Sequence, residues 1–232
     1  MFEAAAYARV GDVDYFEATR RDELSYLVVA RDEDGRTLLH LAAANGHLQL
    51  LQLLVHAGAA KVVKKADDEG WTPLHSAAAA GHDAVVAVLL AIGADTHAAG
   101  DGGRTALHLA AAHGHTSIVR ALIQAGCKVD ARDATGATPL HAAAVAGATD
   151  AARALVLEGG ARVDAHDKGG ATPLLLAVGR GRGDAALFLA SAGANLFASD
   201  KRQQTPIQIA GSLAPALQQA AAGSGWLRRA SM

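Results

Sequence analysis

His75 and His82 stand seven residues apart in DDEGWTPLHSAAAAGHDAVVAVLL, residues 67–90. On one continuous helix that spacing is about two turns, so both imidazoles would share a face. Paired in this way they could form half of a metal site or a catalytic base and its partner. The alternative is that they hold the fold together. The choice turns on whether the pattern occurs once.

It recurs. GRTLLHLAAANGH begins at Gly35, GRTALHLAAAHGH at Gly103 and GATPLHAAAVAGA at Gly136, with weaker copies at Gly170 (GATPLLLAVGRGR) and Gln203 (QQTPIQIAGSLAP). The threonines at 37, 72, 105, 138, 172 and 205 are spaced by 35, 33, 33, 34 and 33 residues. A period near 33 with T-P-L-H in each unit resembles the ankyrin repeat over residues 32–222. The fold expected is an all-α ankyrin-repeat solenoid of about seven repeats, each a helix-turn-helix with a hairpin-like tip.

Each unit can be read residue by residue. DDEG at 67–70 is a turn, with Gly70 free to take positive φ. Thr72 suits an N-cap and Pro73 the first helical position, where no N–H is required. The inner helix covers LHSAAAA, Gly81 ends it, and a second helix returns with Val85, Val86, Leu89 and Leu90 toward the core. Gly93 suits the C-terminal cap. Neither helix is long enough to stand alone, so neighbouring units must bury one another.

This repetition decides against shared metal. His40, His75, His108 and His141 occur once per repeat at one place. Stacked helices lie about 8–10 Å apart, whereas zinc–nitrogen bonds are about 2.0–2.1 Å. Gly81 also breaks the helix between His75 and His82. The ankyrin resemblance implies instead that the T-P-L-H histidine ties adjoining turns by hydrogen bonds. Neither a metal nor a cofactor is expected.

Composition bounds the rest. The 232 residues are 51% hydrophobic but 4% aromatic, with a formal charge of −2, so alanine and leucine must fill the core. The near-neutral balance argues against a chain built to hold nucleic acid. No run of 18 apolar residues offers a membrane span. The single cysteine, Cys127, has no internal disulfide partner, and the first residues resemble no secretory signal. These features predict a soluble monomer of the cytoplasm, with the nucleus also open to it.

The ends differ from the middle. Gly11 lies 35 residues before Gly46, so residues 1–31 read as an N-terminal capping repeat without T-P-L-H. Residues 200–222 read as a C-terminal capping repeat in which Gln208 replaces histidine and Ala214–Pro215 replaces Gly-His. The ankyrin-repeat domain thus spans 1–222, and 223–232 form a flexible tail. Arg228–Ser231 in that tail resembles a basophilic-kinase site, a four-residue match too common to outweigh an inert tail. Gly179, Gly181 and Gly183 form GRGRG with no P-loop Lys-Ser/Thr after it. No nucleophile–base pair stands out, and an enzyme is not expected.

Function is therefore sought at the tips and on the exposed side of the inner helices. Tips of the first half carry Asp32, Glu33, Asp34, Asp67, Asp68, Glu69 and Asp101, interrupted by Arg31, Arg36 and Arg104. Those of the second half carry Arg132, His166, Lys168, Lys201 and Arg202, with Arg180 on an inner helix. Asp133, Asp167 and Asp200 occupy the turn-opening position, where aspartate caps backbone. The expected groove is acidic toward the N-terminus and basic toward the C-terminus, complementary to a partner of opposite polarity. Tips that are polar merely for solubility are the alternative. Trp71 is expected to be an exposed aromatic anchor.

The sequence also resembles the gankyrin family of proteasome regulatory-particle assembly chaperones. The likeness rests on length, repeat count, DDEGWTPLHSAAAAGHDAVVAVLL and the ending DKRQQTPIQIA. It implies that the concave face binds the C-terminal domain of one AAA ATPase of the proteasome base. By position it implies contact roles for Asp34, Arg36, Asp68, Trp71 and His113. His113 stands where that family has lysine, no L-x-C-x-E motif occurs, and the two-residue insertion near Lys61–Lys65 has no counterpart. The other reading is an adaptor for a different intracellular protein, such as a kinase or transcription regulator.

Overall fold

The structure is a computed structural model that describes residues 2–223. Among these the chain is all-helical, its one departure being an isolated bridge between Ala99 and Thr105. It divides into two compact units, residues 1–106 with 125–127, and 107–124 with 128–232.

The first unit holds α1 (Phe2–Val10), α2 (Val13–Ala18), α3 (Arg21–Leu27), α4 (Leu38–Ala44), α5 (Leu48–His56), α6 (Pro73–Ala80) and α7 (Asp83–Ala91). Inner helix α4 packs on α1 and α6, while outer helix α5 packs on α2 and α7. Close stacking is possible because the facing residues are small. Ala42, Ala43, Ala77 and Ala78 are wholly buried beside Leu39, Leu54, Leu74 and Leu89. Leu90, expected inside, is half-buried. The surplus near Lys61–Lys65 follows α5 as a 3₁₀ turn, Ala59–Val62, which puts Val62 and Val63 into the core and leaves the lysines outside.

Residues 1–31, expected to form one atypical helix pair, contain three helices. Thr19 and Arg20 adopt extended backbone (ψ 133° and 145°), and the Thr19 hydroxyl donates to Tyr15 O at 2.8 Å. The outer segment is therefore split into α2 and α3.

The second unit holds α8 (Ala106–His113, from Leu107 on), α9 (Thr116–Gln124), α10 (Pro139–Ala146), α11 (Thr149–Arg153), α12 (Pro173–Gly179), α13 (Gly183–Ser191), α14 (Pro206–Ile209) and α15 (Ala214–Gly223). Inner helix α12 packs on α10 and α14, and outer helix α13 on α11 and α15. A π turn, Ala154–Glu158, continues α11. Helix α14 is only four residues long, so the last pair is the most abbreviated. Gly223, expected to begin the tail, is the last residue of α15, and the Arg228–Ser231 kinase-like motif lies outside the described residues.

Candidate protein-binding surface

The surface rests on a buried scaffold of threonine and histidine. In α6, Thr72 Oγ1 accepts the His75 backbone N–H, while His75 Nδ1 accepts the Thr72 backbone N–H at 3.1 Å. This is a capping box with imidazole in the place of a glutamate. Because Nδ1 accepts, the proton is on Nε2, which donates across to Arg104 O at 3.2 Å. His40 and His141 do the same, reaching Trp71 O at 3.0 Å and Ala171 O at 3.1 Å. His108 reaches Ala137 O at 3.2 Å. Both ring nitrogens of His40, His75 and His141 are thus occupied, leaving no lone pair for a metal. Burial pushes all three imidazoles below their ordinary pKa, against the opposing pull of the carbonyls they bond. They are held neutral.

His82 works in the other direction. Its Nε2 donates to Ala44 O at 3.2 Å, and His47 likewise reaches Arg9 O at 2.9 Å. His75 ties its repeat forward and His82 ties it back. The GRGRG segment is a variant of this turn: Gly181 takes φ 67°, and Arg182 Nε reaches Val145 O at 3.1 Å in histidine's stead. No phosphate cradle is formed there.

The tips are built on aspartate. Asp67 Oδ1 accepts the N–H groups of Glu69 (3.1 Å) and Trp71 (2.8 Å). Asp32, Asp133, Asp167 and Asp200 cap their turns in the same way. Asp32 and Asp67, expected as partner-facing acids, are therefore turn formers too. Burial pushes the Asp32 and Asp133 carboxyls up, yet hydrogen bonds from Arg36 and Thr135 respectively outweigh it and leave both below the usual range. Backbone bonds then join successive tips: Asp68 N–H to Asp34 O (3.1 Å), Lys168 N–H to Thr135 O (2.8 Å) and Lys201 N–H to Gly169 O (3.0 Å). The approach is so close that a Cβ at Gly136 would stand 2.9 Å from Lys168 N. The tie runs through backbone, so the side chains of Asp68, Lys168 and Lys201 remain exposed.

In the first unit, Glu33, Asp34, Arg36, Asp68 and Glu69 come together around one hollow of about 350 Å³, with Asp67. Its charge is partly compensated. Arg36 pairs with Asp34 and, at 3.0 Å, with Asp32, and Arg31 lies 3.3 Å from Asp68. Glu33 and Glu69 are exposed and enter no ion pair among the described residues. Asp101 and Arg104 are exposed on the following tip, where Gly100 takes the place of the turn-opening aspartate.

Trp71 departs from expectation. It is half-buried, with its ring edge-on to His75 (5.7 Å) and the Arg104 guanidinium 5.7 Å from its centroid. Its Nε1–H is out of solvent and has no hydrogen-bond partner among the described residues. The indole lies against the next tip at Gly100, where a Cβ would make ordinary van der Waals contact with it at 3.5 Å. Trp71 is thus more wall than free anchor.

In the second unit, Arg132, His166, Lys168, Arg180, Lys201 and Arg202 are all exposed. Arg132 also has a structural task, its Nη2 donating to His166 O at 2.6 Å. Arg31 does the same toward Ala66 O at 2.8 Å. Lys168, Lys201 and Arg202 present side chains from consecutive tips, with Arg180 at the end of α12. His113 is exposed at the end of α8, donating from Nδ1 to Leu109 O (2.9 Å) and stacked on His115.

The tip and helix geometry agrees with the comparison to known families, in which Ankyrin repeats (3 copies) match residues 17–100 and 92–167. The chain belongs to the ankyrin-repeat family. Ankyrin repeats mediate protein–protein binding, and no catalytic family is indicated. No curated protein matches the chain. Among the described residues there is no group of three or more potential metal-binding side chains, and no helix long and apolar enough to cross a membrane. Burial pushes the Cys127 thiol up to about 11, which makes it a poor nucleophile.

Proposed function

We propose that this ankyrin-repeat scaffold is a non-enzymatic assembly chaperone that binds the C-terminal domain of a proteasome base AAA ATPase through its tips and inner-helix ends. The observation that carries the binding role is the division of labour in each turn. Threonine, histidine and turn-opening aspartate are fully engaged in the fold, whereas Glu33, Glu69, Lys168 and Lys201 beside them are not. The tips of the first unit are rich in carboxylate and those of the second in Lys and Arg. A partner with basic and acidic patches in matching order is what such tips complement. The choice of a proteasomal ATPase rests on the gankyrin-like stretches DDEGWTPLHSAAAAGHDAVVAVLL and DKRQQTPIQIA. A cytoplasmic and nuclear location accompanies this reading, with the chain acting as a monomer.

A second reading, an adaptor for a kinase or transcription regulator, is favoured by one observation: the family match is to ankyrin repeats at large, and no curated relative narrows it. Affinity purification from the source cell with mass spectrometry separates the two. Stoichiometric recovery of base ATPases is the expected result. Recovery of a kinase or transcription factor without them replaces the chaperone reading by the adaptor.

A further inference from the structure

Beside the outer helices of the second unit lies a cavity of about 1120 Å³, whose lining reaches the tip residues Arg132 and His166 but neither Lys168 nor Lys201. It lies beside an irregularity in the repeat. Elsewhere the left-handed glycine after the outer helix follows the capping threonine by twenty-one residues, at Gly58, Gly93, Gly126 and Gly193. After Thr138 it is Gly160, at twenty-two. The surplus residue is absorbed in the π turn, where Gly159 N–H bonds Ala154 O (3.0 Å) and Ala161 N–H bonds Leu155 O (2.9 Å). Such turns occur often at functional sites. Here Leu157, in the cavity's lining, is left 70% exposed.

The lining joins apolar surface to cationic charge. Val156, Leu157, Val163 and Phe188 supply the apolar part, and the Arg153 guanidinium sits 4.7 Å from the Phe188 ring centroid. Arg132 lines the cavity as well. Arg162 is neutralised by Asp130 at 3.0 Å, but neither Arg132 nor Arg153 has a carboxylate partner among the described residues. The acid in the lining, Asp164, already accepts the Asn195 N–H at 2.9 Å. Through Arg153, Phe188 and Ser191 the cavity continues into a second hollow of about 730 Å³ against α15, lined by Asp150 and Asp184. The joined trough has Arg132 in the first hollow only, Asp150 and Asp184 in the second only, and Arg153 beside Phe188 where the two meet.

We propose that this trough docks a short segment of another protein. That segment carries a bulky apolar side chain with carboxylates on one side and basic residues on the other. The apolar group covers Phe188 and Leu157, the carboxylates meet Arg132 and Arg153, and the basic residues meet Asp150 and Asp184. Two hollows that meet at Arg153 and Phe188 suit an extended polypeptide better than a compact small molecule, and the separation of Arg132 from Asp150 and Asp184 fixes its direction. The Arg153 guanidinium is already held against an aromatic face, so little ordering remains when a carboxylate arrives. The trough uses none of Asp68, Glu69, Lys168 or Lys201, so a segment bound there leaves those tip side chains free for a second partner.

The test is selection of displayed random twelve-residue peptides on the intact protein, followed by fluorescence anisotropy of the enriched peptides. Enriched sequences are expected to place acids beside an apolar residue. Arg153→Glu should weaken their binding by about tenfold or more. Leu157→Asp, at an exposed side chain that does not endanger folding, should do the same. The double reversal Asp68→Lys with Glu69→Lys should leave their affinity unchanged. The proposal is overturned if enriched peptides lack that pattern, or if they bind both trough variants like the wild type. It is also overturned if sedimentation shows a dimer that Leu157→Asp dissociates, because the occupant is then a second copy.

Discussion

The start of each inner helix and the tip just before it belong to one turn, yet they obey opposite rules. At Thr72 and His75 the side-chain polar atoms are buried and bonded, forward to Arg104 and within the cap. Five residues earlier, the Asp67–Gly70 tip holds its shape through Asp67 and backbone, while Asp68 and Glu69 point into solvent. A change in the first region removes hydrogen bonds from groups that are out of reach of water. A change in the second alters what the surface presents and little else. The fold is written in the first set of positions; on the proposed function the partner is met by the second, so that the two can be varied separately.

Substitutions on the buried side should break the protein. The largest effect is expected from Leu174→Ala beneath the Thr172 cap. Leu174 is wholly buried, so truncation should cost about 2–5 kcal/mol in urea or thermal unfolding. His75→Ala comes next, because the Thr72 N–H loses its partner, at about 1–3 kcal/mol for a buried donor left unsatisfied, and the forward bond to Arg104 O, which keeps the Gly100 N–H at 2.9 Å, goes with it. His75→Gln sharpens the point. In the last repeat Gln208 Oε1 accepts the Thr205 N–H at 3.1 Å, so glutamine preserves the cap. What it should lose is only the forward tie, at about 1 kcal/mol. Equal losses for the two variants would show that the tie, and not the cap, carries the effect.

Proton linkage probes the same side. The pKa values of His40, His75 and His141 in the folded chain are lowered from 6.5. Below about pH 6.5 the unfolded chain therefore binds protons that the folded chain does not, and stability falls as pH falls. The urea midpoint should be flat above that pH and drop between about pH 6.5 and 5, with a smaller drop in His75→Gln. A midpoint that rises on acidification would contradict the neutral, Nε2-protonated assignment.

The repeat, the threonine caps, the Gly81 break and the histidine ties could all be read from spacing, because one geometry imposed many times leaves a periodic trace. Gln208 in its abbreviated repeat was equally legible. The backward ties of His47 and His82 were missed, although Gly-His recurs at a fixed place in the repeat. Arg31 and Arg132 read as surface charge because only coordinates reveal a guanidinium bonded to the next tip's carbonyl. Trp71 read as exposed since the groups that cover it, Gly100 and Arg104 of the next tip, lie about thirty positions on. The threonine spacings of 35 and 34 flagged two irregularities but not their form. The surplus of two became a 3₁₀ turn after α5 and the surplus of one a π turn at the end of α11, depending on whether it fell after the helix or within it.

On the exposed side the smallest change in stability should accompany a large change in binding. Asp68 meets Arg31 at 3.3 Å with both side chains well exposed, and such pairs contribute about 0–1 kcal/mol. The most direct measurement is surface-plasmon kinetics of the wild type, of Asp68→Lys with Glu69→Lys, and of Lys201→Glu with Arg202→Glu. The targets are purified base-ATPase C-terminal domains at several salt concentrations, with a thermal melt of each variant. The expected result is a nearly unchanged melting temperature with slower association for both reversals. Association of the wild type should itself slow as salt shortens the Debye length below about 8 Å. If both reversals bind like the wild type, or no ATPase domain binds at all, the charged tips are not the surface that grips a proteasomal partner.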